Sequence, residues 1–201
     1  MKVAILDGGA NSVSAHEVEY SRYLGDLAQT MRARGHEVEH IRLVELDLRP
    51  CTGCWSCWIR TPGRCPQRDD CAEVTRTYLR SDLVLFATPL RLGFVSALTK
   101  VLLDRLVPLF LPQIVLHAGE FVHADRYAHY PRVGCVLHRG VYDEDDLRIT
   151  RALFERYAFH FKSELAVAAS TDMPVAEVCD AIDGLQRLTA DEARQHRAVA
   201  G

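Results

Sequence analysis

The chain has 201 residues, 48% of them hydrophobic, with a formal net charge of −3 and a pI near 6.3. That length supports one hydrophobic core, so a single domain over residues 1–201 is expected. The weakly acidic balance gives no field for nucleic acid or an anionic membrane, and no apolar run approaches the span of about 18 residues that would cross one. The opening run Met1–Asp7 is too short for a secretory signal. A cytoplasmic protein is therefore expected, in a reducing compartment where clustered cysteines bind metal or do redox chemistry sooner than they form disulfides.

Lys2–Leu6 is a short apolar run ending at Asp7-Gly8-Gly9, which reads as a buried strand and its turn. Leu24, Leu27, Ala28 and Met31 then recur at helical spacing, and Gly35 stops that helix. Glu37–Leu43 is a weaker strand, with Val38 and Ile41 among polar neighbours, expected near a sheet edge. A cysteine-rich loop over residues 50–71 follows, in the place of a strand-to-helix connection. Asp70, with Glu73 three residues on, is expected to cap the next helix through a capping box. Asp82–Ala87 is the clearest strand, a continuous apolar run of the kind covered on both faces. Thr88–Val95 is its exit loop, and Ser96 caps a helix whose stripe is Leu98, Val101, Leu102 and Leu106.

Residues 108–131 show no clean period; with His117, His123, His129, Tyr127 and Tyr130 they read as an insertion or interface segment. Val133–Leu137 is a fourth strand, Asp143–Phe161 a fourth helix capped by its acidic run, Leu165–Ala169 a fifth strand, and 175–201 a helical tail. Strands alternating with helices indicate an α/β three-layer sandwich with a five-stranded parallel sheet, order 2-1-3-4-5. Ligands of such sheets bind beyond the strand C-termini. The loops Gly8–Ser14, Thr88–Val95 and His138–Tyr142 then share one rim, and the cysteine loop is expected to start on the same rim.

Cys51-Thr-Gly-Cys54-Trp-Ser-Cys57-Trp, followed by Pro62-Gly63-Arg64-Cys65 and Asp69-Asp70, resembles the cysteine segment of flavodoxin-like NAD(P)H-dependent FMN oxidoreductases, in particular their iron–sulfur flavoprotein branch. Thr88-Pro89-Leu90-Arg91-Leu92-Gly93-Phe94-Val95-Ser96, with Lys100 and Leu103-Asp104-Arg105, is similar to that family's second flavin loop and the helix after it. The resemblance implies a flavodoxin-like fold, FMN at the rim, NAD(P)H as donor with hydride transfer to flavin N5, and a small-molecule or protein electron acceptor. It also implies a homodimer or homotetramer. It places Gly9, Asn11, Ser12 and Ser14 at the flavin phosphate, Thr88, Pro89, Leu90, Arg91, Leu92 and Gly93 along the isoalloxazine, and Gly140 in a third flavin loop. Two departures stand out. Arg91-Leu92 replaces a frequent aromatic pair, and residues 7–21 hold no Lys or Arg while Glu17 and Glu19 occupy the first helical turn. Those carboxylates oppose an anion at the helix start and point to weakly held or dissociable FMN, with His16 as a partial compensation.

In the resemblance, Cys51, Cys54, Cys57 and Cys65 are the ligands of a [4Fe–4S] cluster, which their compact spacing suits. Four thiolates also suit zinc, and members of this general fold retain part of the pattern with no metal; all three readings stand on the sequence. Trp55 and Trp58 either shield such a centre or the flavin, or pack the loop. Cys71 is a spare ligand or a small buried residue, and Cys135 a core residue. Two rival functions stand beside the oxidoreductase. One is an iron–sulfur flavoprotein electron carrier without direct NAD(P)H oxidation; the other is a flavin-free zinc-binding or interaction module.

Overall fold

β1 (Lys2–Asp7) and β3 (Leu83–Pro89) are apolar almost throughout because both of their faces are covered. In the computed structural model, which describes residues 1–185, these two strands are the centre of a parallel sheet. β2 (Glu37–Arg42) pairs with the outer side of β1, which explains its polar alternation as an edge strand. β6 (Arg132–His138) and β7 (Leu165–Ser170) complete the sheet, in the order β2-β1-β3-β6-β7. The arrangement is the expected flavodoxin-like one. Only the numbering differs from 2-1-3-4-5, because two further strands precede β6 outside the sheet.

Successive strand residues point to opposite faces, and each face builds its own core. Val3, Ile5, Leu83 and Leu85 meet α1 (Ala15–Ala33) through Tyr20, Leu24, Leu27 and Met31, together with Val178 and Ile182 of a helical segment at 175–185. The remainder of the tail, 186–201, lies outside the described residues. On the other face Ala4, Leu6, Val84 and Phe86 meet α3 (Cys71–Arg80), which follows the one-turn α2 (Ser56–Ile59) of the cysteine loop, together with α4 (Ala97–Arg105) and α5 (Glu144–His160). Phe86 stacks on Phe154 at 5.6 Å and meets Tyr157 edge-on at 5.4 Å. Each large side chain so buried contributes about 1.5–3 kcal/mol. Cys135 and Cys71 are buried in this core, Cys71 as a small apolar residue.

Two local expectations change. Asp70 does not cap α3: its carboxylate accepts the Asp47 N–H at 2.8 Å, and the neighbouring Asp69 takes the Cys71 N–H at 3.3 Å. Of the stripe on α4, Leu102 and Leu106 are fully buried in the core, while Leu98 and Val101 are half-buried. The segment without a clean period is a hairpin, β4 (Phe110–His117) and β5 (Glu120–Asp125), turned through Ala118 and Gly119 at φ 47 and 85. Positive φ at both central residues is the turn that matches strand twist. A register irregularity between Phe110 and Ile114 obscures the strand period. Ile114, Leu116 and Phe121 share one exposed face of the hairpin.

Candidate functional site at the sheet rim and the cysteine cavity

The loops after β1, β3 and β6 meet, as the topology requires, and are tied to one another by named bonds. Gly8 donates to the Ala87 carbonyl at 2.8 Å and accepts from Ser96 Oγ at 2.7 Å. A Cβ on Gly8 would lie 2.0 Å from Thr99 Oγ1, so only glycine lets this loop lie against the start of α4. Ser96 also caps α4 by accepting the Thr99 N–H at 3.2 Å. Leu90 donates to the His138 carbonyl at 2.9 Å, and the Leu92 N–H donates to Tyr142 Oη at 2.6 Å. Arg91 and Phe94 exchange backbone bonds of 2.7 and 3.0 Å around Leu92 and Gly93, both at positive φ. Holding a leucine there costs about 1–2 kcal/mol.

The expected lining residues separate into two groups. Thr88, Pro89 and Leu90 are buried, and Thr88 Oγ1 is occupied by the Ser96 N–H at 3.0 Å, so its hydroxyl serves the loop. Arg91, Leu92 and Gly140 face outward. Each loop presents one apolar side chain to the rim: Val13 is 97% exposed, Leu92 96% and Val141 78%. Of the first loop, Gly9 is buried against Tyr20, whose ring would lie 2.6 Å from a Cβ there. Ser12 Oγ accepts the Ser14 N–H at 3.2 Å, and Ser14 caps α1 by accepting the Glu17 N–H at 3.3 Å.

Charge in this loop is arranged by residues that local sequence did not reveal. Glu17 is buried, accepts the Ala10 N–H at 3.2 Å and is ion-paired with Arg91, so the first-turn carboxylate is already neutralised by the β3 loop. Arg42, at the end of β2 and in register with Asp7, donates to Asn11 Oδ1 at 2.7 Å. A cation therefore reaches the loop from the neighbouring strand, which a window on residues 7–21 misses. Burial alone would push the Asp7 carboxyl up, but His40, the Gly9 N–H and Tyr20 hydrogen-bond it at 3.1, 2.8 and 2.8 Å and hold it below the usual range. His138 is buried, and burial lowers its imidazole pKa.

The cysteine loop does not stay on this rim. Arg105 of α4 donates to the Arg49 carbonyl at 2.5 Å and to both Asp69 oxygens at 2.6 and 2.9 Å, clasping the loop at its two ends. Cys51, Cys54, Cys57 and Cys65 thereby line one cavity of about 70 Å³ together with Trp55, Arg105 and Pro108. That cavity lies at the C-terminal end of α4, whereas the Thr88–Val95 loop lies at its N-terminal end. A nine-residue helix is ~13 Å long, so the two places are separated by that helix. The loop leaves from β2, as expected for a start on the rim, and Arg105 then holds its cysteines at the other end of α4.

Within the cavity, hydrogen bonds with Ser56 and Thr52 lower the Cys54 thiol to about 7, while burial and the neighbouring thiols raise Cys57. Trp55 and Trp58 stack at 4.9 Å beside it, and Trp58 Nε1 donates to the Phe110 carbonyl at 3.0 Å. Among the described residues no three cysteine sulfurs lie within 4.8 Å of one another. A tetrahedral zinc, with bonds of ~2.3 Å, would draw them to ~3.8 Å.

A parallel five-stranded sheet with its loops gathered beyond the strand C-termini, and a cysteine cavity at the far end of α4, defines a flavodoxin-like protein. The chain belongs to the NADPH-dependent FMN reductase family, which it matches over residues 1–157. It is 39% identical over 75 residues to an iron–sulfur flavoprotein of Methanocaldococcus jannaschii, covering 37% of this chain and 38% of that protein. It is 34% identical over 88 residues to an iron–sulfur flavoprotein of Archaeoglobus fulgidus, covering 44% and 39%. The matched segments thus span less than half of either relative. Its fold is similar to an NAD(P)H:quinone oxidoreductase from Methanothermobacter marburgensis, with TM-score 0.57, 18% identity and 92% of each chain covered. It is also similar to an FMN-dependent NADH-azoreductase from Bacillus anthracis solved with FMN, with TM-score 0.55, 12% identity, and 96% and 100% covered.

Proposed function

We propose that the protein is an FMN-dependent NAD(P)H oxidoreductase that passes electrons to a small-molecule or protein acceptor through a [4Fe–4S] cluster on Cys51, Cys54, Cys57 and Cys65. The observation that carries the flavin assignment is the convergence of three cross-tied loops, each offering one exposed apolar side chain, Val13, Leu92 and Val141, to the space above the sheet. Such a surface fits a large planar ring. FMN, when bound, supplies acceptance of two electrons from a nicotinamide and their release singly or in pairs.

This chain's residues bind and orient. Val13, Leu92 and Val141 would shield the ring from water, and the Arg91-to-Phe94 backbone bonds hold their turn in place for it. Asn11 and Ser12, the N–H groups of Ala15 and His16 that open α1, and the Arg42 guanidinium, which is shared with Glu45, would provide for the phosphate. Glu17 is withdrawn from opposing that anion by its pairing with Arg91. Hydride transfer itself calls for no proton donor from the chain.

For the cysteines, four thiols on one cavity with separated sulfurs support a cluster over a single zinc. The exposed apolar face of Ile114, Leu116 and Phe121 supports a homo-oligomer formed through the hairpin. The assignment is tested by anaerobic mixing with NADH and NADPH. Bleaching of the flavin band within the turnover time supports the oxidoreductase; flavin that stays oxidised makes the protein an electron carrier.

A further inference from the structure

Beside α1, three side chains from two elements converge on one point. His16 and Glu19 stand three residues apart on the exposed side of its first turns, and His138 closes β6 while remaining only 4% exposed. One ligand atom from each of the three lies within 4.8 Å of the others. The His16 and His138 rings are 6.0 Å apart.

His138 carries the argument. Its Nδ1 meets Thr171 Oγ1 at 2.8 Å, while its Nε2 is buried with no hydrogen-bond partner. Leaving such an atom unsatisfied costs about 1–3 kcal/mol. With the Nδ1 proton donated to Thr171, Nε2 presents a lone pair toward His16 and Glu19. An outer hydroxyl that fixes the tautomer of a metal-binding imidazole works in this way. Gly140 borders the same place, its Cβ position 3.9 Å from both His138 Nε2 and His16 Nδ1.

We propose that His16, Glu19 and His138 form a binding site for a divalent transition-metal ion, zinc being the one they fit best. Two imidazoles and a carboxylate are three typical zinc ligands and leave a fourth position for water. Calcium and magnesium, which take oxygen ligands, are disfavoured. The ion ties the first turns of α1 to the end of β6 and to Thr171, clamping one side of the rim. The site borders the first and third rim loops and uses none of the cysteine-loop residues.

The test uses chelator-stripped, flavin-free full-length protein under anaerobic conditions, titrated with Zn²⁺ by calorimetry and with Co²⁺ by visible absorption. Because thiolates also take these ions, the titration is repeated on the C51S/C54S/C57S/C65S chain. One Zn²⁺ per chain is expected to remain there, with cobalt d–d bands and no thiolate charge-transfer bands. H16A and E19Q, at exposed positions, are expected to weaken that binding ~100-fold or more, and T171V, an outer partner, ~10–100-fold. Should the four-serine chain fail to fold, the same variants are made in the parent sequence, where they must remove the ion that gives no thiolate band. Equal affinity and stoichiometry in parent, H16A and E19Q overturn the proposal.

Discussion

Replacing Arg105 by alanine removes the clasp that holds the cysteine loop, and its cost follows from burial. The Arg105 and Asp69 side chains are 1% and 0% exposed and joined by two hydrogen bonds, and a third goes to the Arg49 carbonyl. The alanine variant leaves Asp69 buried without its counter-charge, still accepting the Arg49 and Cys71 N–H groups. Breaking one side of a buried pair costs about 3–5 kcal/mol. For a chain of this length each kcal/mol lowers the Tm by about 2–4 °C, so a fall of about 6–20 °C is expected by circular dichroism. R105M/D69L, which removes both charges, is expected to recover much of the loss, and the double-mutant cycle yields the coupling. Retention of parent stability within about 1 kcal/mol by R105A refutes the clasp.

Asp69 and Asp7 supply a pH dependence. Burial alone would raise both carboxyls, but Arg105 for Asp69 and His40 for Asp7 hold them below the usual range. A carboxyl depressed in the folded state contributes stability that is present above its unfolded pKa, about 3.9, and is lost as pH falls through the folded value. The urea midpoint is therefore expected to drop on acidification below about pH 4, and an unchanged midpoint from pH 5 to 3 contradicts this. L92N, which suits positive φ, is expected to raise stability by about 1 kcal/mol while weakening FMN binding in a fluorescence titration; unchanged affinity removes Leu92 from the flavin surface. In metal-free protein, Cys54, with its thiol near 7, is expected to be the first alkylated at neutral pH, and Cys135, pushed up to about 12 by burial, the last. Peptide mapping that finds Cys54 protected until late contradicts that order.

The sheet was legible because β1, β3 and β6 are apolar runs whose exit loops carry glycine and proline, and their order follows from alternation with helices. Ser96 and Asp143 announced two helix starts through side chains that do cap them. The Asp70 cap was not legible, because Asp69 and Asp70 compete for the same task and the choice is made by Asp47 and Arg105, distant in sequence. The rim loops were readable as loops. The neutralisation of Glu17 by Arg91 and the approach of Arg42 were not, since both depend on strand neighbours rather than on sequence neighbours. The position of the cysteines likewise turned on one long-range contact. Spacing shows that four thiols can gather; only the Arg105 clasp shows that they gather at the far end of α4.

The central claim is tested most directly by the ultraviolet–visible spectrum of anaerobically purified protein, with iron, zinc and flavin analysis. The account predicts flavin bands on a broad thiolate–iron shoulder near ~400 nm, four irons per chain, and loss of the shoulder but not of the flavin when Cys57 is replaced by serine. A colourless protein that gains no absorbance with FMN, iron and sulfide, and carries one zinc at its cysteines, contradicts it.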